Sequence, residues 1–141
     1  YFTTNSDGGN TEGIGAMAQY QIICYTLAKI YGVDFYFEGF KNLTHYQYFD
    51  TTKEKWNNDI TEFFNLPVSK KLNLPIVNFS SINGNIQTII GESKILNIEW
   101  PYLMQFIDDY IDNPDVQSIL NEIGKLIIFN NLLYLNSSYY Y

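Results

Sequence analysis

The chain has 141 residues, of which 46% are hydrophobic and 16% are charged, so it can bury a substantial core and is not intrinsically disordered. The formal net charge is -7, and all eight basic residues are lysines. This acidity argues against a nucleic-acid binder, which needs a basic face, and equally against an electrostatic membrane anchor. The sequence shows no membrane-spanning apolar run and no targeting peptide, which favours a cytoplasmic location.

A glycine-rich segment follows residues 1–6, which are suited to the end of a β-strand. Between residues 7 and 15, glycine occupies positions 8, 9, 13 and 15. A loop of this kind at the start of a helix exposes backbone N–H groups that accept phosphate without a basic side chain. A flexible loop that only caps the helix is the alternative, because the pattern is neither a P-loop nor a complete dinucleotide fingerprint.

The residues after this loop have the periodicity of an amphipathic helix. Apolar side chains recur at three- and four-residue steps over residues 16–31, and Gly32 is a natural stop. Residues 33–37 form a β-rich run, which predicts a short buried strand against which the helix packs. This order of strand, loop, helix and strand predicts half of a βαβ unit, and therefore an α/β fold with a parallel sheet.

The rest of the chain predicts further helices and several short strands. The predicted helices run from Thr51 or Thr52 to residue 64, over 101–111, and over 115–129 with Asp115 as the N-cap. The predicted strands cover residues 76–79, 86–90 and 95–98, and a last one begins within 132–135. No internal repeat or long linker divides the sequence, so residues 1–141 are expected to form one helix-rich domain.

The run from Gly13 to Tyr20, with the helix and the 33–36 strand that follow it, resembles the N-terminal motif of metal-independent fucosyltransferases. Residues 55–66 are also similar to uncharacterised relatives encoded by large DNA viruses. The resemblance implies the Rossmann-like N-terminal half of a GT-B-type glycosyltransferase. It further implies a nucleotide-sugar donor such as GDP-fucose, a glycan or protein acceptor, inversion at the sugar carbon, and no metal.

Two features depart from the family pattern. Ala16 replaces the asparagine of the G-x-G-N motif, and the arginine-containing H-x-R-x-G-D motif is absent. In the family that motif lies downstream of a helix like the one predicted at 115–129. We therefore expect these residues to be part of a longer two-domain chain, whose missing C-terminal half binds most of the donor.

The resemblance also indicates which side chains face the substrates. The candidate donor-binding residues are Gly13, Ile14, Gly15, Ala16 and Gln19. Glu12 resembles a glutamate of one O-fucosyltransferase type and is a candidate general base, the alternative being a solvated acid favoured by the helix dipole. His45 is the single histidine and a second catalytic candidate, the alternative being a structural or surface histidine.

We therefore expect a glycosyltransferase-like domain, incomplete as an enzyme by itself, that takes part in the transfer of fucose or another hexose from a nucleotide sugar. The alternative is a non-enzymatic structural or interaction protein, such as a virion component, that has kept the fold. An H-x-R-x-G-D segment downstream of Tyr141 would favour the enzyme.

Overall fold

A computed structural model describes residues 1–4, 13–79 and 94–138, with side chains described as far as residue 127. This part of the chain combines a small parallel sheet with helices. The strands are β1 (Phe2–Thr3), β2 (Ile76–Phe79) and β3 (Ile95–Ile98). The helices are α1 (Ile14–Tyr31), α2 (Lys53–Phe64), α3 (Trp100–Tyr110) and α4 (Pro114–Ser138), and a 3-10 turn covers Tyr46–Tyr48.

The sheet has the order β1-β3-β2, and both strand pairs are parallel. Phe35 adds a parallel bridge to Phe2 on the other side of β1. The Phe2 N–H donates to Asp34 O at 2.8 Å, and the Tyr36 N–H donates to Phe2 O at 2.7 Å. The predicted strand at 33–37 therefore forms only one bridge, because β1 is two residues long and offers little edge to pair with.

Local sequence signals explain where the helices begin and end. The Thr52 hydroxyl accepts a hydrogen bond from the Lys55 N–H at 3.2 Å, so Thr52 is the N-cap of α2, as the sequence indicates. Gly32 ends α1 in the left-handed conformation, with φ of 67°, which glycine adopts without strain. Pro101 occupies the first turn of α3, where a missing N–H costs no helical hydrogen bond.

Two predictions for the last third of the chain are wrong. Asn113, and not Asp115, caps α4, because the Asn113 Oδ1 accepts from the N–H groups of Asp115 and Val116 at 2.9 and 3.3 Å. Residues 132–135 are helical within α4 and do not begin a strand. A short apolar run has no periodicity that separates strand from helix. The strand predicted at 86–90 lies outside the described residues.

The core lies on one face of the sheet. The strand residues Phe2, Phe79, Leu96 and Ile98 are each at most 3% exposed and belong to one apolar cluster. The cluster also contains fully buried side chains from the helices, namely Cys24 and Leu27 of α1, Leu103 of α3 and Val116 of α4. Because side chains alternate along a strand, the opposite face carries Thr3, Asn78, Ile95 and Asn97. The described chain is thus an α/β fold whose second sheet face is partly polar.

Candidate functional site

A cavity of about 140 Å³ begins at the carboxyl end of β1 and extends along the partly polar face of the sheet. Thr3 and Thr4 line it from the strand, and Met17 and Gln21 line it from α1. Residues 36–42, which follow the bridged segment, complete its wall together with Lys71, Leu72, Ile76 and Ile95. Ligands of open α/β sheets bind at the carboxyl ends of the strands. The cavity meets this condition at β1, whereas Ile76 and Ile95 are the first residues of β2 and β3.

Hydrogen bonds tie the carboxyl ends of β1 and β3 to the first half of α1. The Thr4 hydroxyl donates to Ile98 O at 2.8 Å, and the Gln21 Nε2 donates to Thr4 O at 3.2 Å. All of these groups are buried. The Gln21 Oε1 is also buried and has no hydrogen-bond partner within the described residues. The site therefore contains a buried acceptor that lacks a donor.

The N-terminus of α1 has no side-chain cap. Gly13 is the N-cap, with φ of -69° and ψ of 170°, and the first turn carries no acidic residue. Any residue adopts these angles, and a Cβ added at Gly15 would meet nothing within 4 Å. The conformation of the described residues therefore does not require glycine at either position.

The structure brings His45 to this helix end. A Cβ built on Gly13 would lie 3.6 Å from the His45 Cδ2 and 3.8 Å from its Nε2. His45 has a left-handed backbone, with φ of 73°, and its ring stacks on Tyr48 with centroids 5.6 Å apart. Two candidates that are distant in sequence are therefore neighbours, with the imidazole exposed beside the first turn of α1.

The other sequence candidates occupy different positions around the same helix end. Ile14 and Ala16 are half-buried and pack against the core cluster, so their side chains stabilise the fold. Gln19 is exposed on α1, and Glu12 lies outside the described residues.

Sequence reasoning missed Gln21 and Thr4. The signal for Gln21 was present, because it lies four residues after Met17 and three before Cys24, within the apolar stripe of the helix. A polar side chain on the buried face of an amphipathic helix needs a partner, which here is the carbonyl of Thr4. Thr4 precedes the glycine-rich loop, and nothing in its own sequence context marks it.

Charged groups stand at the edge of the cavity and not in its interior. Lys41 and Lys71 are exposed, and Lys41 pairs with the half-buried Glu38 at 3.5 Å. The groups whose pKa is shifted do not line the cavity. Burial raises the pKa of the Cys24 thiol, and burial together with Tyr31 raises the pKa of Tyr102 to about 12. Neither Cys24 nor Tyr102 lines the cavity.

Within residues 1–4, 13–79 and 94–138, no group of three or more His, Cys, Asp or Glu side chains is placed to hold a metal ion. No helix among the same residues combines the length and the apolar character that a bilayer crossing needs.

Comparison with protein-family models, curated proteins and solved structures finds no match to this chain. Function therefore has to be inferred from the geometry at the carboxyl edge of the sheet.

Proposed function

We propose that this chain binds a nucleotide sugar at the carboxyl edge of its sheet and contributes to the transfer of a fucosyl or another hexosyl group. The observation that carries the proposal is an uncapped helix N-terminus one turn away from Met17, a residue that lines a cavity at the end of a parallel strand. Parallel α/β sheets place phosphate at such helix ends and the rest of the ligand in the adjoining crevice.

The first turn of α1 supplies the phosphate contacts in this proposal. Its N–H groups have no side-chain acceptor from Gly13, and no acidic residue lies within the first turn to offset the positive end of the helix dipole. The His45 imidazole, beside Gly13, is placed to donate to a phosphate oxygen or to accept a proton from an acceptor hydroxyl. Lys71 adds positive charge at the mouth of the cavity, where the charge of Lys41 is balanced by its pairing with Glu38.

The absence of arginine limits the affinity that this domain reaches alone. A helix N-terminus contributes roughly 0.3–1 kcal/mol toward an anion, and about 2 kcal/mol in favourable geometry. The bidentate arginine contacts that usually hold a diphosphate are unavailable in this chain, since all eight basic residues are lysines. We therefore expect a dissociation constant for GDP of about 1 mM or weaker.

The test is an amide-shift titration of the 15N-labelled chain with GDP and GDP-fucose. We expect millimolar ligand to shift the amides of Gly13, Ile14 and Gly15, and to leave that of Gly124, in the middle of α4, unchanged. Gly15→Val should abolish these shifts while the circular dichroism spectrum stays the same, because a Cβ there has open space in the protein but would obstruct a ligand.

Unchanged amides of α1 at saturating concentrations of both nucleotides would contradict the proposal and favour a non-enzymatic role. Binding that survives Gly15→Val would remove the first turn of α1 from the site. Tight binding of GDP would show that the domain holds the diphosphate without the contacts of a second domain.

A further inference from the structure

A second cavity, of about 250 Å³, lies where α1 and α3 end and α4 begins. Tyr31 is the last residue of α1, and Phe106 and Tyr110 belong to the end of α3. Asn113 and Asp115 line the cavity from the start of α4. A rise of 1.5 Å per residue puts this aromatic cavity roughly 25 Å from the N-terminus of α1, so it is a separate site from the one proposed for the nucleotide.

Aromatic rings line the aromatic cavity from its interior to its mouth. Phe106 is 7% exposed, Tyr31 is half-buried, and Tyr110 is 50% exposed. The rings of Phe106 and Tyr110 have centroids 5.4 Å apart, and Tyr31 is hydrogen-bonded to Tyr102, so neighbouring side chains hold these rings in place. The face of an aromatic ring carries partial negative charge, so several rings around one cavity attract a cation.

The charged side chains around the aromatic cavity favour a cation as well. Asp115 is the only charged residue among the described residues that line it. No salt bridge joins its carboxylate to another described residue. Asp108, Asp109 and Asp112 precede it closely, and no lysine or arginine occurs within residues 95–124. The potential around the aromatic cavity is therefore negative.

The helix dipoles act in the same direction. Because α1 and α3 both end at the aromatic cavity, the negative ends of two helix dipoles adjoin it. The positive end of α4 is offset by Asp115 in its first turn and by Asn113, which caps it. Lys29, in the last turn of α1, lies over the Tyr25 ring at 5.5 Å from its centroid and does not line the aromatic cavity.

We propose that the aromatic cavity binds a methylated ammonium group, held by its three aromatic rings and by the carboxylate of Asp115. Ile30 and Val116 complete an apolar lining that suits methyl groups, whereas an unmethylated ammonium is strongly hydrated. A hard metal ion would need several oxygen ligands, which aromatic rings do not supply. A free quaternary amine and a trimethylated lysine side chain present the same chemistry, and the first experiment separates these two sources.

The first experiment titrates the 15N-labelled chain with choline and with neohexanol, in which a carbon atom replaces the charged nitrogen of choline. We expect choline to shift the amides of Tyr31, Tyr110 and Asp115 with a dissociation constant of about 1 mM, and neohexanol to bind at least tenfold more weakly. A short peptide with trimethyllysine is compared with its unmethylated form. Tighter binding of the methylated peptide than of choline would assign the cavity to a modified protein, and the reverse to a free amine.

Two results of this titration would overturn the proposal. One is the absence of amide shifts with both choline and the methylated peptide at ten times the expected dissociation constant. The other is equal affinity for choline and neohexanol, which would make the cavity an apolar pocket without preference for charge.

The second experiment tests the rings. Tyr110→Leu keeps an apolar side chain but removes the aromatic face, so choline should bind at least fivefold more weakly. Tyr110→Phe keeps the ring and should bind choline as the unsubstituted chain does. Tyr48→Leu is the matched control, because Tyr48 is 74% exposed and lies outside the aromatic cavity. Unchanged affinity in Tyr110→Leu would contradict the role of the rings.

The third experiment tests the carboxylate. Asp115→Asn should weaken choline binding at least threefold and leave neohexanol binding unchanged. Glu54→Gln is the matched control, because Glu54 also lies in the first turn of a helix with a side-chain cap and its loss changes the net charge equally. Equal weakening by both substitutions would mean that net charge, and not Asp115, attracts the cation. Because GDP plays no part in these measurements, their outcome is independent of the proposed function.

Discussion

The two ends of α1 are capped differently. At the C-terminal end, Gly32 adopts a left-handed conformation and its N–H reaches Lys29 O at 3.2 Å, while the Val33 N–H reaches Ala28 O at 2.9 Å. At the other end, Gly13 offers no side chain to the first N–H groups of the helix. The protein therefore caps the C-terminal end of the helix with its own backbone, whereas the N-terminal end has no side-chain cap from Gly13.

Burial does not differ in the same way between the two halves of α1. Cys24 and Leu27, in the second half, are 0% exposed, and Met17 and Ala18, in the first half, are 6% and 3% exposed, so one face of the helix is anchored to the core along its length. Gly15 lies on the exposed face, within the first turn. A binding site on a helix benefits from such an anchor, because the buried face positions the exposed one.

The largest effect is expected from the buried face that anchors α1. Leu27→Ala removes a fully buried side chain of the core cluster and should lower the free energy of unfolding by about 3 kcal/mol. Urea unfolding followed by circular dichroism measures the loss. Leu126→Ala is the control, because Leu126 of α4 is 50% exposed and should change stability by less than about 1 kcal/mol. Similar losses for both variants would mean that Leu27 is not part of the anchor.

An intermediate effect on stability is expected at the C-terminal end of α1, which Gly32 caps. Gly32 has φ of 67°, so Gly32→Ala places a Cβ in the left-handed region and should lower the free energy of unfolding by about 1 kcal/mol. No other atom lies within 4 Å of that Cβ, so the loss measures backbone strain and not a clash. Unchanged or increased stability in urea would show that the end of α1 relaxes without cost.

The smallest effect on stability, an increase, is expected at the N-terminal end of α1. Gly15→Ala should raise the free energy of unfolding by about 0.5–1 kcal/mol, because Gly15 is helical, exposed and free of contacts. Gly124→Ala in α4 is the matched control, since the Cβ there also meets nothing within 4 Å. A loss of stability in Gly15→Ala alone would contradict the open space around the added Cβ.

Local sequence signals correctly predicted most of the helices and two of the strands. Thr52 as a cap, Gly32 as a stop and Pro101 in a first turn act within one turn of chain, so they are readable without knowing the fold. The strand predicted at 33–37 depended on its partner, and β1 was too short to extend the pairing beyond Phe35. The true cap of α4 was misassigned because Asn113 and Asp115 both have side chains that favour a helix start.

The sequence by itself determined the α/β class, the helical stripe of α1 and the glycine-rich entry to that helix, because periodicity and capping act over a few residues. Only the tertiary structure placed His45 beside Gly13 and joined Thr4, Ile98 and Gln21 by hydrogen bonds. These contacts join residues 17 to 94 positions apart, and no local pattern encodes them. Whether a buried polar side chain is paired depends on every neighbour around it, so only the folded chain shows that the Gln21 Oε1 has no partner within the described residues.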